Sequence, residues 1–324
     1  MTLVDAFRAR RRIESYVRRT PLVASTWLSD LARASIFLKL ESLQVTHSFK
    51  ARGAFNAVLA RLQNGPRPGR LATASAGNHG RALAAAAEAF GLPLTVFTPG
   101  DAPRAKIDAI RRHGADLRAD AHDYDEAERL AKAFAHETGA LFISAYNDAD
   151  VIAGAATTAL EILEDAPDTE VFLVPVGGGG LISGLGAVVK AVSPSIEVIG
   201  VEVEASCAFR TSLGAGRIVT IVPGPTLADG LGGNPDPDTI TFPMIQRWVD
   251  RVVTVGERDL ASAIVGLVQR DHVVVEGAAA AAAAALIGER ADVSGRRAAL
   301  IVTGANIDGQ RLASLLEQRE TTVG

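Results

Sequence analysis

Lys50 lies in the run Glu41-Ser-Leu-Gln-Val-Thr-His-Ser-Phe-Lys-Ala-Arg-Gly-Ala54, just after a predicted strand and at the start of a predicted helix. The positive potential of a helix start disfavours the ammonium form. A lysine with a lowered pKa is what imine formation with an aldehyde requires. Taken alone, such a residue reads as an ordinary surface lysine, and its weight comes from the residues that accompany it.

The strongest companion is Val171-Phe-Leu-Val-Pro-Val-Gly-Gly-Gly-Gly-Leu-Ile-Ser-Gly184, an apolar strand that runs through four glycines into a helix. Glycines let backbone N–H groups approach a ligand, and the helix start adds partial positive charge, so the pair forms an anion cradle suited to phosphate. A tight turn alone needs one glycine, and four are costly to order. A dinucleotide fingerprint fails at Ser183, where G-x-G-x-x-G needs a third glycine, although Glu202 stands where a ribose-binding acid could sit. No Walker lysine follows the glycines.

Two further runs fall between strand and helix. In Thr73-Ala-Ser-Ala-Gly-Asn-His-Gly80, Ser75, Asn78 and backbone N–H groups could hold a carboxylate, although the same residues are good turn and capping chemistry. In Val302-Thr-Gly-Ala-Asn-Ile-Asp308, Thr303 offers a small hydroxyl at the carboxyl end of a strand, where parallel α/β sheets place ligands.

The elements that must position these residues alternate. Predicted strands are Ile36–Leu40, Arg70–Ala74, Leu94–Phe97, Leu141–Ile143, Val171–Val176, Glu197–Val203 and Ala298–Val302. Helices are predicted over Ala51–Gln63, Arg81–Phe90, Ala105–Arg112, Tyr124–Glu137, Leu181–Ala191 and Glu276–Ile287, the last holding eight consecutive alanines that suit a buried, closely packed helix. Strand and helix in turn predict an α/β fold with parallel or mixed sheets and helices on both faces. At 324 residues two domains are expected.

Composition narrows the function classes. A hydrophobic share of 48% against 22% charged fits a globular chain with a real core. The net charge of −4 gives no general attraction to nucleic acid or to an anionic membrane, so neither is an expected partner. Arg8, Arg10, Arg11, Arg12, Arg18 and Arg19 are a local exception, read as the solvated face of a first helix carrying Ile13, Tyr16 and Val17 inward. The single cysteine, Cys207, excludes an intrachain disulfide framework. No apolar run reaches the roughly 20 residues of a spanning helix, and a cytoplasmic setting is expected.

Ser48-Phe49-Lys50-Ala51-Arg52-Gly53-Ala54, Ser75-Ala76-Gly77-Asn78-His79, Gly177–Leu181 and Thr303-Gly304-x-Asn306 together resemble the four marks of fold-type II pyridoxal-phosphate enzymes. The closest resemblance is to the threonine/serine dehydratase and serine racemase family, and it runs from Arg19-Thr-Pro-Leu22 to about Leu316. It implies a tryptophan-synthase-β-like fold, with residues 1–47 and 147–324 as a large cofactor-binding domain and 48–146 as a small one. It further implies pyridoxal 5'-phosphate (PLP) bound covalently to Lys50, with Phe49 against the ring. By the same resemblance Asn78 bonds the ring hydroxyl, Gly177, Gly178, Gly179, Gly180 and Leu181 hold the phosphate, and Thr303 meets the pyridine nitrogen. Ser75, Ala76, Gly77, Asn78 and His79 receive the substrate carboxylate, and Glu276 matches the family's glutamate near the ring. A homodimer is usual in this family.

Departures from the family pattern shape the expected activity. Ala76 stands where the family's racemases carry a second serine, which favours elimination over racemisation. The family's divalent-cation site keeps Glu202 but has Ala208 at the later acid position, so no metal is expected. His47 stands where glycine is common. The expected reaction is loss of water and then ammonia from a β-hydroxy amino acid, L-threonine or L-serine. Alternatives are a specialised dehydratase of the hydroxyectoine-utilisation or 3-hydroxyaspartate type, a β-replacement synthase, and an NAD-binding oxidoreductase.

Overall fold

The computed structural model describes residues 1–320 except Ala76, Asp101 and Pro103, with backbone alone for Ala105, Gln318, Arg319 and Glu320. Its strands are β1 (Leu22–Ala24), β2 (Ser35–Leu40), β3 (Leu71–Ala74), β4 (Leu94–Pro99), β5 (Asp116–Ala121), β6 (Leu141–Phe142), β7 (Val171–Pro175), β8 (Glu197–Val203), β9 (Arg251–Val255) and β10 (Arg297–Val302). They form two sheets. The larger has the order β1-β2-β10-β7-β8-β9 and the smaller β5-β4-β3-β6. All pairings are parallel except β1 with β2, which is antiparallel.

Both faces of the large sheet are dry, which is why its central strands read as continuous apolar runs rather than alternating ones. Val171 and Leu173 of β7 face the helix Gly277–Ile287, whose alanines are buried throughout. Phe172 and Val174 face the opposite way, against Leu181, Ile182 and Leu185 of the helix Gly180–Val192 and Ala155–Ile162 of the helix Ala149–Asp165. The small sheet is packed likewise. Leu71 and Val96 meet the helices Lys50–Asn64 and Asn78–Ala89 on one side. Ala74 and Phe97 meet the helix Tyr124–Thr138 on the other.

Each strand and helix expected from the sequence is present, with ends shifted by up to three residues. Three strands were not anticipated. β1 is only three residues long, and β5 reads Asp-Leu-Arg-Ala-Asp-Ala because one face is exposed at the sheet's edge. β9, Arg-Val-Val-Thr-Val, forms one edge of the larger sheet. The first helix is a correction as well. It ends at Ile13, and Tyr16 lies beyond it in a turn, stacked on Phe55 at 5.7 Å. Arg10 of this helix pairs with Glu164, and Arg19, beyond its end, bridges Glu164 at 2.6 Å and Asp165 at 2.5 Å.

A buried ionic cluster joins the elements around Lys50. Arg52, 1% exposed, donates to Glu41 at 2.8 Å from both Nε and Nη2, and to Glu161 at 2.6 Å. Lys39 donates to Glu161 at 2.7 Å and to the Thr20 carbonyl at 2.6 Å. The cluster ties β2 and the turn after it to the Lys50–Asn64 and Ala149–Asp165 helices. Those helices approach so closely that a Cβ at Gly154 would lie 2.3 Å from the Arg52 carbonyl oxygen. Removing one member of such a cluster leaves buried charge without its partner. Arg52→Met is expected to destabilise the fold by about 3–5 kcal/mol; a urea-unfolding loss under about 1 kcal/mol would show the cluster to be dispensable.

Candidate active site

Three of the helices at the carboxyl ends of the strands begin without a side-chain cap: Lys50–Asn64, Asn78–Ala89 and Gly180–Val192. Elsewhere Asp123 and Asp148 cap the starts of the Tyr124–Thr138 and Ala149–Asp165 helices. First-turn N–H groups have no partner within their helix, so an uncapped start offers them to a ligand. All three uncapped starts open onto one cavity of about 400 Å3.

Lys50 enters that cavity from the first position of its helix, and its Nζ donates to the Ala145 carbonyl at 2.8 Å. Burial lowers its pKa to about 8, with Glu276 pulling the other way. Desolvation is therefore the main cause, rather than the helix-start potential expected from the sequence. The segment that carries Lys50 is pinned along the end of β10. Phe49 N–H donates to the Thr303 carbonyl at 3.0 Å, Ala305 N–H donates to the His47 carbonyl at 2.9 Å, and Ser48 bridges Gly304. His47, where glycine is common, adopts a φ of 57° in the left-handed region.

The glycine run lines the cavity from Gly177 through Gly180 and on to Leu181. The space for it is set by Tyr146, since a Cβ at Gly178 would sit 2.3 Å from the Tyr146 ring. Gly179 has a φ of 83°, which glycine adopts without strain. Thr303 also faces the cavity, and its buried hydroxyl has no hydrogen-bond partner.

The Ser75–His79 turn forms the facing wall. Ser75 N–H is held by the Phe97 carbonyl at 2.9 Å, and Gly77 N–H donates to Ser75 Oγ at 3.1 Å. Ala76 lies outside the described residues. His79 is buried, with Nε2 3.3 Å from the Ile143 carbonyl. Burial first, and then nearby Lys50, lower its pKa to about 3, so the ring is neutral at working pH. Asn78 Nδ2 donates to Glu276 Oε1 at 2.6 Å, and burial raises the Glu276 pKa to about 7. Every described residue singled out from the sequence as a site residue is thus gathered around one cavity.

Several cavity residues gave no such signal. Tyr124, Tyr146, Lys106 and the 229–234 segment reach it only through tertiary packing. Lys106 pairs with Asp229 across the mouth. Arg81 and Asn306 stand just behind Asn78. Glu202 lies elsewhere and accepts Phe209 N–H at 2.8 Å and Arg210 N–H at 2.7 Å. The narrow seat of the glycine run is testable without any ligand: Gly178→Ala should destabilise the protein by about 1–3 kcal/mol through overpacking against Tyr146. A neutral effect in thermal unfolding would mean that Tyr146 is free to move.

Comparison with known proteins places this geometry. A family model described as pyridoxal-phosphate dependent enzyme matches residues 13–304. An L-threonine ammonia-lyase of Thermotoga maritima is 42% identical over 308 residues, 95% of this chain and 76% of that protein. An L-threo-3-hydroxyaspartate ammonia-lyase of a Pseudomonas species is 36% identical over 318 residues, 97% of this chain and 98% of the relative. The structure of maize serine racemase superposes with a TM-score of 0.90 at 31% identity, covering 100% of this chain and 99% of that one. With most of its length matched and its conspicuous residues gathered at one cavity, the chain belongs to the pyridoxal-phosphate dependent enzymes.

Proposed function

We propose that the chain removes ammonia from a β-hydroxy amino acid, L-threonine or L-serine, with PLP carried on Lys50. The observation that carries this reading is an enclosed lysine amine with a pKa near 8, set in one cavity with a four-glycine helix start and an unpartnered buried hydroxyl. The residues present fit the cofactor. The N–H groups of Gly177–Leu181 suit its phosphate, Thr303 Oγ lacks a partner that a pyridine nitrogen would supply, and Phe49 flanks the lysine amine with its ring 5.1 Å away. Asn78 retains a second amide hydrogen for the ring hydroxyl, and Glu276 stands behind it.

When bound, the cofactor supplies an aldehyde for the amine and a conjugated ring that takes up the charge left at Cα. The protein's own groups do the rest. The open N-terminus of the Asn78 helix, with Ser75 and Gly77, orients the substrate carboxylate. The freed Lys50 amine takes the Cα proton as general base, and the β-hydroxyl is protonated as it leaves and departs as water, so the proton lost at Cα balances the one the leaving group gains. Hydrolysis of the released product gives a 2-oxo acid and ammonia. A threonine hydroxyl holds the ring nitrogen without a full negative charge, so charge at Cα is relieved by expelling the neighbouring leaving group.

The pocket favours a small neutral side chain. Among its described residues the cations are Lys50 and Lys106, and Lys106 is already paired with Asp229. A second substrate carboxylate, as in 3-hydroxyaspartate, finds no free cation there. A cytoplasmic homodimer with domains 1–47 plus 147–324 and 48–146 is the setting we propose.

Lys50→Ala is expected to lose at least about a thousandfold in turnover of L-threonine, since general base and covalent anchor go together. Residual activity within tenfold of wild type would rule out the assignment. Because the folded pKa is depressed from 10.5 to about 8, the neutral amine prevails above pH 8 and is protonated below it. The rate at which the apoprotein captures PLP as the Lys50 imine should therefore climb about tenfold per unit below pH 8 and level above it. A profile still climbing towards pH 10 would show an ordinary lysine.

A further inference from the structure

Four side chains form a hydrogen-bonded line from the adjoining cavity, which Arg81 lines, to Glu276. Arg81 Nη1 donates to Asn306 Oδ1 at 2.5 Å. Asn306 Nδ2 donates to Asn78 Oδ1 at 2.6 Å and to the Thr46 carbonyl at 3.1 Å. Asn78 Nδ2 in turn donates to Glu276 Oε1 at 2.6 Å. The two amides could point either way, since each carries a donor and an acceptor. A guanidinium can only donate. Arg81, together with the Thr46 carbonyl that can only accept, therefore turns the Asn306 oxygen outward and its NH2 inward, and Asn78 follows.

We propose that Arg81 is a positioning residue that, with the Thr46 carbonyl, sets the direction of this line, so that Asn78 presents its NH2 to Glu276 and to the cofactor's ring hydroxyl. The inference rests on the reading that Lys50 carries PLP in this cavity. In the observed direction the line stabilises ionised Glu276, because a carboxylate accepts from Asn78. In the reverse direction Asn78 would present its oxygen, and only protonated Glu276 could bond to it. Arg81 thus acts on the ring through two amides without touching it.

The other charges near Glu276 are Lys50 from its own helix, Lys106 from the Arg104–Arg111 helix and Asp229 from the loop segment across the mouth. Arg112, Asp308 and Arg311 line the adjoining cavity. None of these six donates to Asn306 or Asn78. Among the charged groups near the line, Arg81 bonds its far end, and it imposes the same direction as the acceptor-only Thr46 carbonyl.

The test is a pH titration of the bound cofactor's visible absorbance in purified holoenzyme. A charge appearing on Glu276 perturbs the neighbouring ring and marks a midpoint. Arg81→Met should raise that midpoint by about one pH unit, since ionised Glu276 loses a charge-assisted bond. Arg81→Lys, which keeps a cationic donor, should restore it. Asn306→Leu cuts the line while leaving the Arg81 charge in place, and should shift the midpoint as Arg81→Met does. A shift in Arg81→Met without one in Asn306→Leu would overturn the proposal in favour of bare charge at a distance, and an unmoved midpoint in both would overturn it outright. A wild-type protein with no visible band would instead remove the underlying reading of the cavity.

Discussion

The desolvated amine of Lys50 is the constraint on which the rest of the structure depends. An ammonium in bulk water titrates near 10.5, and here the surrounding protein brings it to about 8. Holding a flexible side chain in such a place takes a rigid base. The backbone before Lys50 is bonded along the end of β10 through Phe49 and Thr303, and through His47 and Ala305. Two residues after it, Arg52 is clamped between Glu41 and Glu161. A charged cluster this deep contributes little net stability compared with apolar packing. Its geometric specificity fixes where the lysine helix starts.

The same economy explains the helix starts. Side chains close several helix starts, as Asp123 and Asp148 do, while others such as that of Glu257–Arg270 carry no side-chain cap. At the cavity the side-chain caps are missing on the Asn78–Ala89 and Gly180–Val192 helices, whose first-turn N–H groups face the open space, whereas those of the Lys50 helix are bonded to Ser48 and Phe49. Strand ends of both sheets lead to this place, and the segment 229–234 lines it as well. Anion binding, amine activation and enclosure thus follow from where strands end and helices begin.

Much of this was legible in the sequence. Continuous apolar runs such as Val171–Pro175 are strands dry on both faces, and their glycine-rich sequels mark the points where backbone meets ligand. Lys50, Asn78, the glycine run and Thr303 were identified by type and position, Glu276 only through the family resemblance, and packing brings them together. What escaped was what only packing decides. β5 hides behind charged residues on its exposed face, and β1 is too short for a pattern. Tyr146 could not be foreseen as the wall that demands Gly178, because the two lie 32 positions apart. Lys106, Asp229 and the Arg81–Asn306 line are side-chain meetings between distant segments, for which periodicity carries no signal. The helix-start argument for a lowered Lys50 pKa reached the right direction, but burial is the larger cause.

One measurement bears on the whole account. The purified protein's visible spectrum is recorded before and after borohydride, the reduced protein is digested, and the modified peptide is sequenced while an untreated sample is given L-threonine. The account predicts a yellow protein whose colour borohydride fixes onto Lys50, together with release of 2-oxobutanoate and ammonia. A colourless protein that PLP cannot reconstitute, or a label on a lysine other than Lys50, would contradict it.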